Sequence, residues 1–349
     1  MRILIASDKY KGSLTASKVA ETLRQVLSMG LQDCEIDLCP IADGGEGTTE
    51  AMITALDGQW VEIPTLDAQA RRIEARYGWI AHQQEAVLEM SAASGLALVN
   101  DQPLHPEQAS TYGTGLMILD AIQRGAKKII IGIGGSATND AGLGMAAALG
   151  YQFLDARDQA IQPIMAHLHR LDRIVPPEIV FPEILVACDV DNPLLGPHGA
   201  TRIYGPQKGV TDFVFFEDRL KKLADTAARD LSCDPREIPG SGAAGGLGYG
   251  LMTFCGAHLV SGFDLISAKI GLEERVAKAD LIITGEGRLD AQTLHGKGPI
   301  GVSLMARRLG KAVVAFAGSI EDSPALRAHF DLAYAIKPSQ MPLSQAITE

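Results

Sequence analysis

The stretch ILVACDVDNP (residues 184–193) places two acids directly after an apolar run. Residues 184–187 are aliphatic or small and lie between Pro182 and Pro193, a pattern typical of a short buried strand. Asp189 and Asp191 follow this strand. Open α/β sheets bind ligands at the carboxyl ends of their strands, so both acids are candidates to meet a metal or a substrate hydroxyl. An Asx turn before Pro193 is the purely structural alternative.

Similar apolar runs alternate with helix-like segments along the rest of the chain. The strand-like runs cover residues 3–7, 35–38, 128–133, 183–187, 281–284 and 312–317. Apolar residues spaced three and four apart predict helices at residues 16–27, 48–56, 114–123 and 300–309. This alternation of strand and helix predicts an α/β fold with a mostly parallel sheet.

The length of 349 residues favours two domains, because a single core stops growing at about 250 to 300 residues. The α/β rhythm loosens in the middle of the chain, where residues 60–64 and 73–79 look like antiparallel strands. We therefore expect a discontinuous domain from residues 1–57 and 267–349, with a second α/β domain inserted at residues 58–266. The active site is expected in the cleft between them.

The composition argues against several kinds of partner. The net charge is −11, from 42 acidic and 31 scattered basic residues, which disfavours DNA or RNA. The five cysteines form no CxxC pair, so neither a disulfide framework nor a zinc site is indicated, and a reducing cytoplasm is expected. The chain contains no run of about 18 apolar residues, so no membrane partner is expected. The apolar run at residues 3–6 is too short for a signal peptide.

Two segments near the amino end follow predicted strands. In SDKYKGS (residues 7–13), Lys9, Lys11 and Ser13 could bind phosphate where a strand leads into a helix, although a solvated turn explains them equally well. In ADGGEGT (residues 42–48), glycines surround Asp43 and Glu46, which could hold a cation or a hydroxyl. Acids that only complement the start of the next helix are the alternative there.

A third segment, TGEGRLD (residues 284–290), is followed by GKG at residues 296–298. Gly285 and Gly287 flank Glu286, and Arg288 and Lys297 supply positive charge. Charges alternating between glycines at a strand end suit a nucleotide and its magnesium ion. The GxGxxG match at residues 240–245 follows no predicted strand, and the chain has no GxxxxGK[ST] loop, so neither a Rossmann fingerprint nor a P-loop kinase is indicated.

A fourth segment, GIGGSATND (residues 132–140), suits an anion. Gly134, Gly135 and Ser136 could seat a carboxylate or phosphate on backbone donors, and Arg202 could clamp a small carboxylate. A tight turn with Thr138 as helix N-cap is the alternative.

Together these segments resemble the type I glycerate kinase family. The resemblance covers nearly the whole chain and rests on seven segments in order: DKYKGSL, ADGGEGT, GIGGSATNDAG, ACDVDNPL, GPQKG, PGSGAAGGLG and TGEGRLD. It implies a flavodoxin-like three-layer α/β domain with an inserted domain. It also implies ATP-dependent phosphorylation of D-glycerate to 2-phosphoglycerate with Mg²⁺.

Residue roles can be inferred within that framework. Asp189 would accept the proton of the glycerate hydroxyl, with Asp191 beside the substrate. Lys9 and Arg288 would stabilise the charge of the transferred group. The remaining assignments are the substrate carboxylate for Arg202, Gly134, Gly135 and Ser136; the nucleotide for Lys11, Ser13, Gly285, Gly287 and Lys297; and magnesium for Asp43, Glu46 and Glu286.

Two other functions remain possible from the sequence. One is a kinase for another small hydroxy or sugar acid, and the other is a non-catalytic sensor of such an acid. Three carboxylates around an anion argue against the sensor, because they repel the ligand unless a cation lies among them. A homo-oligomer is possible.

Overall fold

The computed structural model describes residues 1–31, 33–290, 293, 298–321, 323–338, 340–342 and 345–346. The strands are β1 (Arg2–Ser7), β2 (Glu35–Leu38), β3 (Gln59–Leu66), β4 (Arg72–Ile80), β5 (Glu85–Glu89), β6 (Lys128–Gly132), β7 (Gln152–Leu154), β8 (Arg173–Val175), β9 (Glu183–Ala187), β10 (His258–Val260), β11 (Leu281–Leu289), β12 (Ala312–Ile320) and β13 (Leu332–Ala335).

The helices match the predicted ones to within about one turn where a helix was predicted. They are α1 (Ala16–Gly30), α2 (Thr48–Ala55), α3 (Ser91–Ser94), α4 (Tyr112–Gln123), α5 (Leu143–Ala148), α6 (Ala200–Tyr204), α7 (Phe213–Leu231), α8 (Ala243–Cys255), α9 (Gly262–Lys269), α10 (Leu272–Lys278), α11 (Pro299–Arg308) and α12 (Pro324–Arg327). In the described part of the chain, no helix is long and apolar enough to cross a membrane.

The chain divides into two compact units. Unit 1 contains residues 1–43, 50–56 and 263–349, and unit 2 contains residues 44–49 and 57–262. The predicted α/β class with mostly parallel strands is confirmed.

Unit 1 is built on a five-stranded parallel sheet in the order β13-β12-β11-β1-β2. Counted within the unit, this is the 2-1-3-4-5 order of flavodoxin-like folds. Ile3, Ile5 and Ile283 are buried with Ala20 of α1 in one core cluster. Since all strands are parallel, the carboxyl ends of β1, β2 and β11 meet at one edge of the sheet.

The predicted end of β11 at residue 284 is wrong, because the strand continues to Leu289. Glu286 and Arg288 are therefore strand residues, paired with Ala317 and Ser319 of β12. Gly285 makes this continuation possible, since a Cβ at that position would lie 1.8 Å from the carbonyl oxygen of Phe316. The acidic and basic side chains of TGEGRLD are thus held by a sheet and not by a turn.

Unit 2 contains a six-stranded mixed sheet in the order β10-β9-β6-β5-β4-β3. Strands β10, β9, β6 and β5 are parallel, whereas β3, β4 and β5 pair antiparallel, which confirms the two antiparallel strands expected there. A large core cluster joins these strands to α4, α5, α7 and α8.

The start of α8 packs against the segment that follows β6. Ala244, Gly245 and Gly246 have φ values of 55°, 69° and 86°, in the left-handed region where glycine is favoured. A Cβ on Gly245 would lie 2.0 Å from the carbonyl oxygen of Thr138. The Gly-rich start of α8 therefore packs closely against the backbone of residues 138–141.

Candidate active site

Acidic residues and one lysine gather at the carboxyl edge of the unit 1 sheet. Asp8 follows β1 and is 6% exposed. Its Oδ1 accepts a hydrogen bond from the backbone N of Lys9 at 2.6 Å. The Lys9 Nζ lies 3.7 Å from Asp8 Oδ1 and 3.8 Å from Asp43 Oδ1. The structure thus brings together two predicted site residues, Lys9 and Asp43. Asp8, at the end of β1, is a third charged residue beside them.

Glu286 of β11 belongs to the same electrostatic neighbourhood. Burial raises the pKa of Glu286 to about 7, and the negative charges of Asp8, Asp290 and Asp43 raise it further. The hydrogen bond that Thr293 Oγ1 donates to Glu286 Oε1 at 2.8 Å lowers it. Burial likewise raises the pKa of Asp8 to about 6, against the charge of Lys9 and with the charge of Asp43. Carboxylates that raise one another's pKa values in this way favour a bound cation.

These acids fit a magnesium ion that is shared with phosphate groups. Among the described residues, no group of three or more His, Cys, Asp or Glu is arranged to hold a metal ion by itself. Mg²⁺ rarely uses such a cage, because it usually takes one or two protein carboxylates together with waters and substrate phosphates. One or two of the carboxylates of Asp8, Asp43 and Glu286 would make up that partial set.

The other predicted residues of unit 1 that the structure describes lie around this edge. Lys11 and Ser13 are exposed in the turn before α1, whose N-cap is Thr15. A Cβ on Gly287 would lie 3.2 Å from the backbone N of Lys11, so β11 lies directly beside this turn. Arg288 is exposed, with its Nε 3.3 Å from Asp290 Oδ2. Lys297 lies outside the described residues.

The part of the ADGGEGT loop that belongs to unit 2, from Gly44 onward, is held by an acid that the sequence did not indicate. Glu89, at the end of β5, accepts hydrogen bonds at Oε1 from the backbone N of Gly47 at 3.1 Å and of Thr49 at 2.8 Å. These amides therefore bind a protein carboxylate. Glu46 is exposed. It belongs to unit 2, whereas Asp43 belongs to unit 1.

The loop after β6 is fixed on both sides by backbone contacts. Leu96 N donates to Gly135 O at 2.9 Å, and Ala137 N donates to Ser94 O at 2.9 Å. The side chain of Lys208 reaches the same loop and donates from Nζ to Ser136 Oγ and to Thr138 O, both at 2.6 Å. Gly134, Gly135 and Ser136 thus lie in a rigid loop at the carboxyl end of a parallel strand.

Thr138 does not cap a helix, so the N-cap part of that alternative is wrong, although Gly135 does have a left-handed φ of 75° in the turn expected there. Helix α5 begins at Leu143, and the neighbouring turn is held by the buried Asp140. Asp140 accepts hydrogen bonds from Gly142 N at 3.3 Å and from Gly144 N at 3.2 Å. It also accepts two from Thr111, both at 2.8 Å.

Asp189 and Asp191, the two acids of ILVACDVDNP, have different surroundings. Asp189 is half-buried just beyond β9, and its Oδ1 accepts a hydrogen bond from Gly262 N at 3.0 Å. Gly262 is distant in sequence from Asp189. In an Asx turn the carboxylate would instead accept a hydrogen bond from the backbone a few residues further along the chain. Asp191 is exposed. Arg202 is also exposed, with its guanidinium carbon 5.1 Å from the centre of the Phe213 ring.

Fold and site residues together define a class of protein. Unit 1 has carboxylates and a lysine at the carboxyl edge of a parallel sheet, and unit 2 has a rigid Gly-rich loop. These features are typical of an α/β phosphotransferase. Comparison with known proteins identifies the family. Residues 3–349 match the Glycerate kinase family.

Curated relatives and a solved structure agree with this match. Glycerate 2-kinase of Escherichia coli (strain K12) is 43% identical over 332 residues, covering 92% of this chain and 86% of that protein. Glycerate kinase of Bacillus subtilis (strain 168) is 41% identical over 354 residues, covering 99% and 93%. A crystal structure from Salmonella typhimurium LT2 that carries the designation glycerate kinase 2 is 40% identical, with a TM-score of 0.88, and covers 100% of this chain and 93% of that one.

The chain therefore belongs to the glycerate kinase family, and the resemblance found in its sequence is confirmed. It is an enzyme of the kinase class that acts on an alcohol group.

Proposed function

We propose that this protein transfers the γ-phosphoryl group of ATP, with Mg²⁺, to the 2-hydroxyl of D-glycerate, forming 2-phosphoglycerate and ADP. The observation that carries the proposal is the cluster of Asp8, Lys9, Asp43 and Glu286 at the carboxyl edge of the unit 1 sheet. The Escherichia coli relative, a glycerate 2-kinase, supports the choice of substrate and of hydroxyl.

The cluster suits a triphosphate only when a cation accompanies it. Three carboxylates repel phosphate oxygens. Burial, together with the neighbouring acids, raises the pKa values of two of them, Asp8 and Glu286, so the cluster is short of positive charge. One or two of Asp8, Asp43 and Glu286 would hold Mg²⁺, which would neutralise charge on the phosphate oxygens. Lys9 lies within 3.8 Å of two of these acids and would contact the transferred group.

Other residues of unit 1 keep their predicted roles as part of the proposal. Lys11, Ser13, Gly285 and Gly287 lie beside the cluster on the turn before α1 and on β11, where the nucleotide would bind. Arg288 is exposed and would meet charge on the transferred group. Its contact with Asp290 at 3.3 Å would then be exchanged for phosphate.

On the substrate side, Asp189 is the proposed general base. The hydrogen bond from Gly262 N holds one oxygen of the Asp189 carboxylate, Oδ1. As the glycerate oxygen forms its bond to the γ-phosphorus, the bond from that phosphorus to the bridging oxygen of ADP breaks. The hydroxyl proton passes to the Asp189 carboxylate and then to solvent.

The carboxylate of glycerate is assigned to the Gly134–Ser136 loop. The backbone of this loop is immobilised by residues 94–96, so its donors are oriented before a ligand arrives. Arg202 and Asp191 remain proposed contacts of the substrate. Both are exposed, so their contribution to binding is expected to be smaller than that of the loop.

The test is ADP release from ATP with a panel of acids: D-glycerate, L-glycerate, glycolate and D-lactate, each with and without Mg²⁺. D-glycerate is expected to give the highest kcat/KM, and chelation of Mg²⁺ is expected to abolish turnover. A higher kcat/KM with another acid would identify a kinase for that acid. Binding of D-glycerate without any ADP release would indicate the non-catalytic sensor instead.

A further inference from the structure

Lys208 is a buried lysine that no role in the proposed reaction has yet used. It ends the 3₁₀ turn Pro206–Lys208 and is 1% exposed. Its Nζ donates hydrogen bonds to Ser136 Oγ and Thr138 O, both at 2.6 Å. An ammonium group has three N–H donors, and within the described part of the chain these two bonds are the ones it forms.

These contacts determine how the Ser136 hydroxyl can bond. Because an ammonium group only donates, Ser136 Oγ must accept from Lys208, and the hydroxyl hydrogen is directed to another acceptor. Ser136 lies in the loop after β6, at the carboxyl end of a parallel strand. The lysine therefore fixes Ser136 as a hydrogen-bond donor in the loop assigned to the substrate carboxylate.

Two further atoms of the same segment indicate a polar ligand. Thr138 and Asn139 are 0% and 1% exposed, and in the described structure Thr138 Oγ1 and Asn139 Oδ1 have no hydrogen-bond partner. Buried polar atoms are nearly always bonded to protein or to ordered water. A polar occupant next to residues 136–139 would satisfy them.

The charge state of Lys208 is finely balanced. Burial lowers its pKa to about 7, and the negative charge of Asp140 opposes that fall. Three other ionisable groups lie on segments packed against this turn. They are Arg202 on α6, and His105 and Glu107, which flank the Pro106 that lies near Gly209. A carboxylate arriving at the loop would stabilise the protonated lysine.

We propose that Lys208 is the positioning and specificity-determining residue of the substrate site, fixing Ser136 as a donor and providing the buried positive charge that selects a carboxylate over a neutral alcohol. The assignment of the loop to a substrate carboxylate rests on the proposed function. The selection itself is a separate property of the loop and of this lysine.

A pH dependence follows from this arrangement. Below pH 6 the lysine is already protonated, so KM for D-glycerate should be constant. Above pH 7 a proton must be taken up on binding, so KM should rise by up to tenfold per pH unit. Lys208→Met should remove this dependence and raise KM for D-glycerate about 10- to 100-fold, while KM for ATP changes less than about twofold.

The controls separate this charge effect from a structural one. Ser136→Ala removes the hydroxyl donor but keeps the lysine, so it should raise KM several-fold and retain the pH dependence. Lys221→Met removes an exposed lysine of α7 and should change neither quantity. If Lys208→Met does not fold, the wild-type pH profile and Lys208→Arg, whose guanidinium does not titrate in this range, provide the test. A wild-type KM that stays flat between pH 6 and 9 would overturn the proposal.

Calorimetric binding of D-glycerate without ATP distinguishes this inference from the proposed function. Wild-type protein should take up protons on binding at pH 8, seen as a heat that depends on the buffer, and Lys208→Met should not. This result without any ADP release would sustain the carboxylate site and reject the kinase reaction. Normal ADP release with an unchanged KM in Lys208→Met would sustain the reaction and reject the role of Lys208. Absence of both binding and turnover would reject both.

Discussion

Asp189→Asn separates catalysis from folding at the proposed general base. In the native protein, Asp189 Oδ1 accepts the Gly262 amide at 3.0 Å. An asparagine places a carbonyl oxygen at the same position and can keep that bond, which loses only the charge-assisted part of its strength. The expected loss of unfolding free energy is therefore about 1 kcal/mol or less.

The expected loss of turnover is much larger. An amide cannot accept the hydroxyl proton, and general-base catalysis contributes about 10²- to 10⁴-fold, which corresponds to about 3–5 kcal/mol of activation free energy. The substitution is isosteric, so KM for D-glycerate should stay within about threefold. The effect should therefore appear in kcat and not in stability or substrate binding.

The assay is ADP release with saturating ATP and Mg²⁺, together with thermal unfolding of the same preparations. Asp191→Asn is the matched control, because this substitution makes the same chemical change at an exposed position of the same segment. It should keep kcat within about threefold. A kcat near the wild-type value in Asp189→Asn, or an equal loss in both variants, would refute the assignment of the base.

Three further predictions concern the carboxylate cluster and the loop supports. Glu286→Gln should raise the Mg²⁺ concentration needed for half-maximal turnover about tenfold, as measured by Mg²⁺ titration; an unchanged requirement would remove Glu286 from the metal site. Glu89→Ala removes the acceptor of the Gly47 and Thr49 amides and should lower the unfolding free energy by about 2–4 kcal/mol in urea, with Glu89→Gln losing about half as much. Gly245→Ala combines a φ of 69° with a backbone clash and should cost at least about 2 kcal/mol, whereas a stability close to wild type would contradict the close packing on Thr138.

Much of the fold follows from local sequence patterns. Strands buried in parallel sheets are short aliphatic runs, so segments such as residues 128–133 and 183–187 predict the strands to within a residue. Strand β5 was not predicted, because its sequence EAVLE has only three apolar residues between two acids and shows no clear alternation of apolar and polar residues. The end of β11 was also missed, since glycines usually interrupt strands and here allow the close approach of Phe316.

The site is less accessible from sequence, because its chemistry depends on burial. The sequence predicted Lys9, Asp43 and Glu286 separately, each in a Gly-containing segment after a predicted strand. The structure brings them together at one edge of the unit 1 sheet, with Glu286 inside β11 and not in a loop. The burial of Asp8 and Lys208 could not be predicted, since it is set by tertiary packing around them. The sequence indicated these two residues only by their positions: Asp8 lies next to Lys9 in DKYKGSL, and Lys208 lies in GPQKG.

Phosphorus NMR of the product formed from D-glycerate, ATP and Mg²⁺ tests the central claim most directly. The proposed reaction predicts stoichiometric ADP and a single new phosphate ester with the shift and proton coupling of authentic 2-phosphoglycerate. The 2-carbon carries one hydrogen, so this signal is a doublet in the proton-coupled spectrum. A triplet from a phosphate on the 3-carbon, or inorganic phosphate as the only product besides ADP, would contradict phosphoryl transfer to the 2-hydroxyl.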